Sequence, residues 1–323
     1  MPSDFSRREF LWRTGALAGV ALCTRSVAAE TIHSPFRVAV INDEITQDFE
    51  RACQIAAQDF GMEWIELRGM WNKNVVNLDE KEIAETKRIL DKYNLRVTDI
   101  ASPLFKADWP DAPKSKFSPK GAQFGADFTF DQQDEVLDRS IALAKAFGTD
   151  RVRCFDFWRL EDPAPYREAI NARLLEAASH AGKSGITLVL ENEPSCNTAT
   201  GAEAAKVLAE IQSPHLMLNW DPGNATDAGE KAFPDGYALL PKNRIGHCHC
   251  KDAAKVPGTD KYKWAAMGGG VIDWVGQFRA LKSDGYRLAV SLETHWRGAG
   301  TAEASSRQSW AGMLKELQEA GAA

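Results

Sequence analysis

Cysteine is scarce in this 323-residue chain: there are six, and they are scattered. Five of them (Cys53, Cys154, Cys196, Cys248 and Cys250) lie beyond the first 29 residues. An odd, dispersed set excludes a disulfide framework. Positive charge is also in deficit, with 39 Lys and Arg against 45 Asp and Glu. The formal charge of −6 becomes −8 once residues 1–29 are removed. An acidic chain has no long-range attraction for nucleic acid or anionic lipid, so neither is expected as a partner. The apolar run at residues 15–23 is too short to cross a bilayer. Glycine is missing where a nucleotide-binding sheet would need it. The segment after the first expected strand, "INDEITQD" (41–48), has none.

The N-terminus is set apart from the rest. Arg7 and Arg8 form a twin arginine inside S-R-R-E-F-L, and small residues precede a cleavage point near Ala28 or Ala29. This resembles a bacterial twin-arginine export signal. Leu22, ahead of Cys23, is too bulky for a lipid-anchor site. The resemblance implies that residues 1–29 are a signal peptide read by the twin-arginine export machinery. The remainder, 30–323, would be a soluble periplasmic protein with no membrane association after cleavage. That route carries folded cargo, which suits a protein that collects its cofactor before export.

With 44% hydrophobic residues the chain can bury a large core. Short β-rich runs alternate with helical patterns. Strands are expected at 37–41, 63–67, 96–101, 151–155, 187–191, 216–221, 244–250 and 288–293. Helices are expected at 47–59, 79–93, 131–147, 165–183, 201–211, 235–240 (short), 272–283 and 305–320. "FERACQIAAQDFG" and "NARLLEAASHAGKSG" repeat apolar residues every three or four positions and end on glycine. Eight strand-then-helix units predict α/β architecture closed into a single (β/α)8 barrel. The segment "SPLFKADWPDAPKSKFSPKGAQFGADFTFDQQ" (102–133) is too rich in Pro, Gly and Lys for a helix. Its five phenylalanines and Trp109 predict a packed lid.

In such a barrel the chemistry sits where strands end. The fifth strand ends "LVLENEP" with Glu191 and Glu193, and the sixth ends "LNWDPGN" with Asp221. The seventh ends "GHCHCKD" with His247, His249, Lys251 and Asp252, and the eighth ends "SLETHW" with Glu293 and His295. Side chains alternate faces along a strand, so His247 and His249 share one face while Cys248 and Cys250 share the other. Two His and two Cys on opposite faces cannot close around one zinc ion. The cysteines are expected to be small apolar residues under the outer helices, and His247 to be a satisfied histidine deeper in the barrel.

Glu191, Asp221, His249 and Glu293 are expected to converge at one rim. Three carboxylates brought together repel unless a cation intervenes. Three oxygens and one imidazole suit a hard or borderline divalent ion with open positions; Mn²⁺ fits well, and Mg²⁺, Co²⁺ and Zn²⁺ are compatible. Salt bridges to neighbouring Arg or Lys are the plainer reading of each acid taken alone.

At these residues the sequence resembles the xylose isomerase-like TIM-barrel superfamily of sugar isomerases and epimerases. Members similar to ketose 3-epimerases hold a divalent metal with Glu, Asp, His and Glu from strands five to eight, which here are Glu191, Asp221, His249 and Glu293. "GGGVIDW" (268–274) resembles the glycine turn that opens the family's seventh helix. Three positions depart from that pattern. Asn224 and Lys255 stand where a His and an Arg are usual, and Asn197 replaces a second Glu for which Glu193 is a stand-in. Three-metal endonucleases of the superfamily need more histidines than the six here.

The resemblance implies an isomerase or epimerase acting on a sugar or keto-sugar by proton transfer through an enediolate. Glu191 and Glu293 would act as ligands and as acid/base groups. Expected substrate contacts are Glu193, Asn224, Lys251, His295, Trp109 and Trp296, with Lys251 pairing either with substrate or with Asp252. Arg68, Lys106 and Arg153 are further candidates. Trp71, Trp109, Trp158, Trp220, Trp264 and Trp296 all fall near strand ends and are expected to wall a sugar ring. A lyase or dehydratase acting on a keto-glycoside or inosose, and a non-catalytic sugar-binding barrel, are the alternatives. Oligomeric state is left open.

Overall fold

The computed structural model describes residues 31–120 and 126–323; the export-signal expectation lies outside them. Eight parallel strands form the central sheet. They are β1 (Arg37–Val40), β2 (Trp64–Leu67), β3 (Arg96–Leu104), β4 (Arg151–Cys154), β5 (Thr187–Glu191), β6 (Leu216–Trp220), β7 (Ile245–Cys250) and β8 (Ala289–Leu292). The order around the sheet is β1-β8-β7-β6-β5-β4-β3-β2, and a parallel bridge between Ile41 and Glu66 joins its two ends. The result is the expected (β/α)8 barrel.

Alternation divides each strand between two layers. Leu188, Leu190, Leu216, Leu218, Cys248, Cys250, Val290 and Leu292 lie in the apolar core shared with the helices. Each of these leucines, like Val290, contributes about 1.5–3 kcal/mol on burial. The opposite parity faces the axis. Low in the barrel a register shift between the Leu218–Ile245 and Asn219–His247 pairs turns Gly246 to the axis although it shares the parity of Cys248; a Cβ there would lie 2.8 Å from Met217 Cβ and 2.9 Å from Val189 Cγ1, so only glycine fits. Higher up, the axis-facing positions deliver the polar residues of the site.

The outer helices are α1 (Phe49–Gln54, continued by a π-turn over Ile55–Asp59), α2 (Glu80–Tyr93), α3 (Gln133–Phe147), α4 (Arg167–Gly182), α5 (Gly201–Glu210), α6 (Pro222–Asp227), α7 (Trp274–Ser283) and α8 (Ala302–Glu319). Capping boxes open α2 (Asp79 with Glu82) and α5 (Thr200 with Glu203), which satisfies otherwise orphaned N–H groups. Among the described residues no helix is long and apolar enough to cross a membrane.

The differences from expectation are local. β3 runs on to Leu104, three residues into the stretch taken for loop. The short helix expected at 235–240 starts earlier, as a π-turn over Ala232–Gly236 that runs into Tyr237–Leu239, and α6 forms ahead of it. Two small hairpins were not foreseen: Gly69–Met70 with Lys73–Asn74, and Asp252–Lys255 with Tyr262–Ala265. In the long loop, Trp109 packs edge-on against Phe130 and Phe157 at 5.3 and 4.8 Å, as a packed segment requires.

Candidate metal centre

Four strand ends supply the centre. Glu191 is the last residue of β5, Asp221 directly follows β6, His249 is the penultimate residue of β7, and Glu293 directly follows β8. One ligand atom from each of these four lies within 4.8 Å of the others, and all four residues are buried. His249 Nδ1 is the hub, at 3.3 Å from Glu191 Oε1, 3.4 Å from Glu293 Oε2 and 3.7 Å from Asp221 Oδ2. The expected set therefore meets.

Asp221 has two tasks, one for each oxygen. It is the N-cap of α6, where Oδ1 accepts the Asn224 backbone N–H at 2.8 Å. Oδ2 turns to the axis and has no hydrogen-bond partner, although Lys251 Nζ is 2.8 Å away. Glu191 Oε2, 3.1 Å from Arg153 Nη1, is likewise without a well-aligned hydrogen bond. Two buried carboxylate oxygens left in this state, beside an imidazole and a third acid, are the donor set a divalent ion requires. The residues present fit such an ion.

Cations surround the acids. Glu293 Oε1 accepts from Arg68 Nη1 at 2.8 Å and lies 3.1 Å from His295 Nε2, while Oε2 is 2.5 Å from Lys251 Nζ. Burial alone would raise the Glu191 pKa, but His249 and Arg153 outweigh it and hold it at about 2. Glu293 is also held well below the usual range: burial opposes this, and Lys251, His295 and His249 prevail. For His249 burial favours the neutral ring, yet Glu66, Glu191 and Glu293 push its pKa well above 6.5.

Below the rim lies a layer that sequence reasoning missed. Glu66, on β2, spans both histidines: Oε1 is 3.0 Å from His249 Nε2 and Oε2 is 3.0 Å from His247 Nε2. Asp99 on β3 faces His247 Nδ1 at 3.8 Å, and burial together with Glu66 pushes its pKa up to about 6. His247 is thus the deeper histidine expected, but only half satisfied: Glu66 holds its Nε2, and its Nδ1 has no hydrogen-bond partner. The signal for Glu66 was present in "WIEL", where the acid shares Trp64's parity and sits between apolar Ile65 and Leu67. Glu44, after β1, was also overlooked; it pairs with Arg68 Nη2 at 2.6 Å and Arg297 Nη2 at 2.7 Å.

The expected substrate contacts are distributed unevenly. Asn224 Nδ2 donates to Glu191 Oε1 at 3.1 Å, and Glu193 lies 3.5 Å from Lys106 Nζ and accepts from Ser195 Oγ at 2.9 Å. His295 meets Glu293 and stands edge-on to Trp264 at 5.4 Å. Trp296 is half-buried against Gly298, and Trp109 belongs to the phenylalanine cluster of the loop. The six-tryptophan wall is corrected. Trp220 is fully buried, with Nε1 donating to Gln277 on α7, because its parity is opposite to that of Asp221. Trp71 packs on Phe49, and Trp158 is buried with Phe155 and Cys196. The pairing of Lys251 with Asp252 is also corrected. Asp252 accepts from the backbone N–H groups of Ala253 and Gly270, while Lys251 turns inward.

The family model described as xylose isomerase-like TIM barrel matches residues 55–317. No curated protein matches the sequence. Among solved structures, a probable 3-DHS dehydratase, AsbF, from Bacillus anthracis superposes with a TM-score of 0.65 at 17% identity, covering 86% of this chain and 98% of that one. IOLI protein with a binding zinc atom gives a TM-score of 0.66 at 14% identity, covering 88% and 98%. D-allulose 3-epimerase from Methylomonas sp., in complex with D-allulose, gives 0.61 at 18% identity, covering 90% and 99%. The chain spans 42% of a xylose isomerase-like TIM barrel/4-hydroxyphenylpyruvate dioxygenase fusion protein, with a TM-score of 0.62 and 17% identity. At these identities the structural likenesses speak to fold, and the family match covers most of the chain: it belongs to the xylose isomerase-like TIM barrel family.

Proposed function

We propose that the protein is a periplasmic, divalent-metal-dependent isomerase or epimerase of a sugar or keto-sugar, with Mn²⁺ as the preferred ion. The observation that carries this reading is the meeting of Glu191, Asp221, His249 and Glu293 within 4.8 Å. A divalent ion held there would polarise a carbonyl beside the reacting carbon.

The chain's own residues do the rest. Glu191 and Glu293 arrive from β5 and β8 and flank the site, so one can take the proton next to the carbonyl and the other can return it. Return to the opposite face of the same carbon gives epimerisation; return to the neighbouring carbon gives isomerisation. The cations around them hold both carboxylates ionised, so the one that returns a proton must first take one up from solvent. Asn224 fixes the Glu191 carboxylate, and His295 and Arg68 fix that of Glu293. We assign to Glu193, Lys106, Trp109, Trp264 and Trp296 the grip on substrate hydroxyls and C–H faces.

The test is solvent deuterium uptake. Keto-sugars including D-allulose are incubated with Mn²⁺-loaded protein in D₂O and read by mass spectrometry. Wild type should incorporate deuterium at the carbon next to the carbonyl, and Glu293→Gln should be slower by at least about 100-fold with its fold intact. Undiminished exchange in that variant would contradict the assignment.

A further inference from the structure

Lys251 lies two residues after His249, and its side chain is led into the same face of the barrel. The path is built for it. A Cβ on Gly223, in the first turn of α6, would lie 2.5 Å from Lys251 Cγ and 3.2 Å from Asp221 Oδ1, so the glycine leaves the channel through which the lysine stem passes. At its end Nζ lies 2.8 Å from Asp221 Oδ2 and 2.5 Å from Glu293 Oε2. Trp264, from the hairpin after β7, covers the ammonium with its ring centroid 5.1 Å away. The lysine side chain is only 3% exposed.

The two oxygens it holds are the two that face His249 Nδ1 from β6 and β8, at 3.7 and 3.4 Å. An ammonium and a divalent ion cannot both sit against those oxygens, because two like charges at that spacing in a buried site repel strongly. We propose that Lys251 is a built-in competitor of the metal, whose ammonium occupies Asp221 Oδ2 and Glu293 Oε2 and must leave both when a divalent ion binds. This rests on the reading that the four rim residues hold a metal. The residue thereby sets how tightly, and in exchange for what, the ion is held. Once displaced, the ammonium keeps two nearby acids outside the ligand set, Glu193 and Asp227, with which it already interacts electrostatically. The movement carries a positive charge from the ligand oxygens to the substrate side.

The experiment is calorimetric titration of the purified full-length protein, freed of metal by chelation, with MnCl₂. Lys251→Met, which keeps the stem and removes the charge, should bind Mn²⁺ at least about tenfold more tightly than wild type. Equal or weaker binding by a folded Lys251→Met, beside measurable binding by wild type, overturns the inference and leaves the metal reading standing. If neither protein binds Mn²⁺, the metal reading itself is overturned. A second measurement needs no variant. In a crystal of wild type soaked in MnCl₂, Nζ should lie beyond hydrogen-bond distance of Asp221 Oδ2. Nζ still on that oxygen beside a bound ion contradicts the inference.

Discussion

Glu66 Oε1 lies 3.0 Å from His249 Nε2, on the side of the imidazole opposite to Glu191, Asp221 and Glu293. One carboxylate from β2 therefore decides which ring nitrogen faces the rim. With Nε2–H donating to Glu66, Nδ1 is left to donate its lone pair to a cation. The other oxygen of Glu66 holds His247 at 3.0 Å, so one carboxylate ties the two histidines together, with Asn219 Nδ2 3.2 Å from His249 Nε2 beside it. Such outer partners fix the orientation and raise the basicity of a ligating histidine.

Glu66→Gln should therefore weaken divalent-ion binding by roughly 10–100-fold without removing a ligand. Titration with MnCl₂ reads the affinity, and circular dichroism checks that the barrel persists. Unchanged affinity would show that His249 is oriented by something else.

Asp221 offers a separation of structure from chemistry. Asp221→Asn keeps an oxygen that can accept the Asn224 N–H and so retains the α6 cap. Asp221→Ala loses it and should cost about 1 kcal/mol more in urea unfolding. Both variants should lose metal binding to a similar extent, because each lacks the charged oxygen that faces the axis. Retention of full affinity in either variant would remove Asp221 from the ligand set.

Away from the centre, Glu316 on α8 gives a pH signature. Burial, then Asp252, Glu319 and Asp273, push its pKa from 4.5 to about 8, and its Oε2 has no hydrogen-bond partner. The folded state therefore holds this proton more tightly than the unfolded chain. Its contribution to stability is fully present below about 4.5 and is lost as pH rises through about 8. Glu316→Gln should melt above wild type at pH 9 and lose less on going from pH 5 to 9, with each 1 kcal/mol worth roughly 2–4 °C. Parallel melting curves of the two proteins across that range would contradict the assignment.

The barrel was legible because its period is strong: eight alternations of strand and helix leave few other closures, and β5 was bounded to the residue, Thr187–Glu191. The meeting of the four rim residues was legible for a related reason, since parity and strand ends together fix where a side chain points. What stayed hidden depends on contacts across the axis. Glu66 is an ordinary acid in a four-residue strand until His247 and His249 arrive from β7, 181 and 183 positions later. The direction of Lys251 depends on the space beside Gly223 and on Asp252 being occupied by the turn at Gly270, neither of which periodicity reports. Trp220 shows a reading that stopped short. The alternation that placed Asp221 inward already placed its neighbour outward, against α7.

The most direct measurement is the anomalous difference density of a crystal soaked in MnCl₂. One peak per chain is expected at the mouth of the barrel, about 2.0–2.4 Å from His249 Nδ1 and from oxygens of Glu191, Asp221 and Glu293. No peak at saturating Mn²⁺, or a peak that leaves two of these four residues untouched, would contradict the claim that strands five to eight build one metal centre.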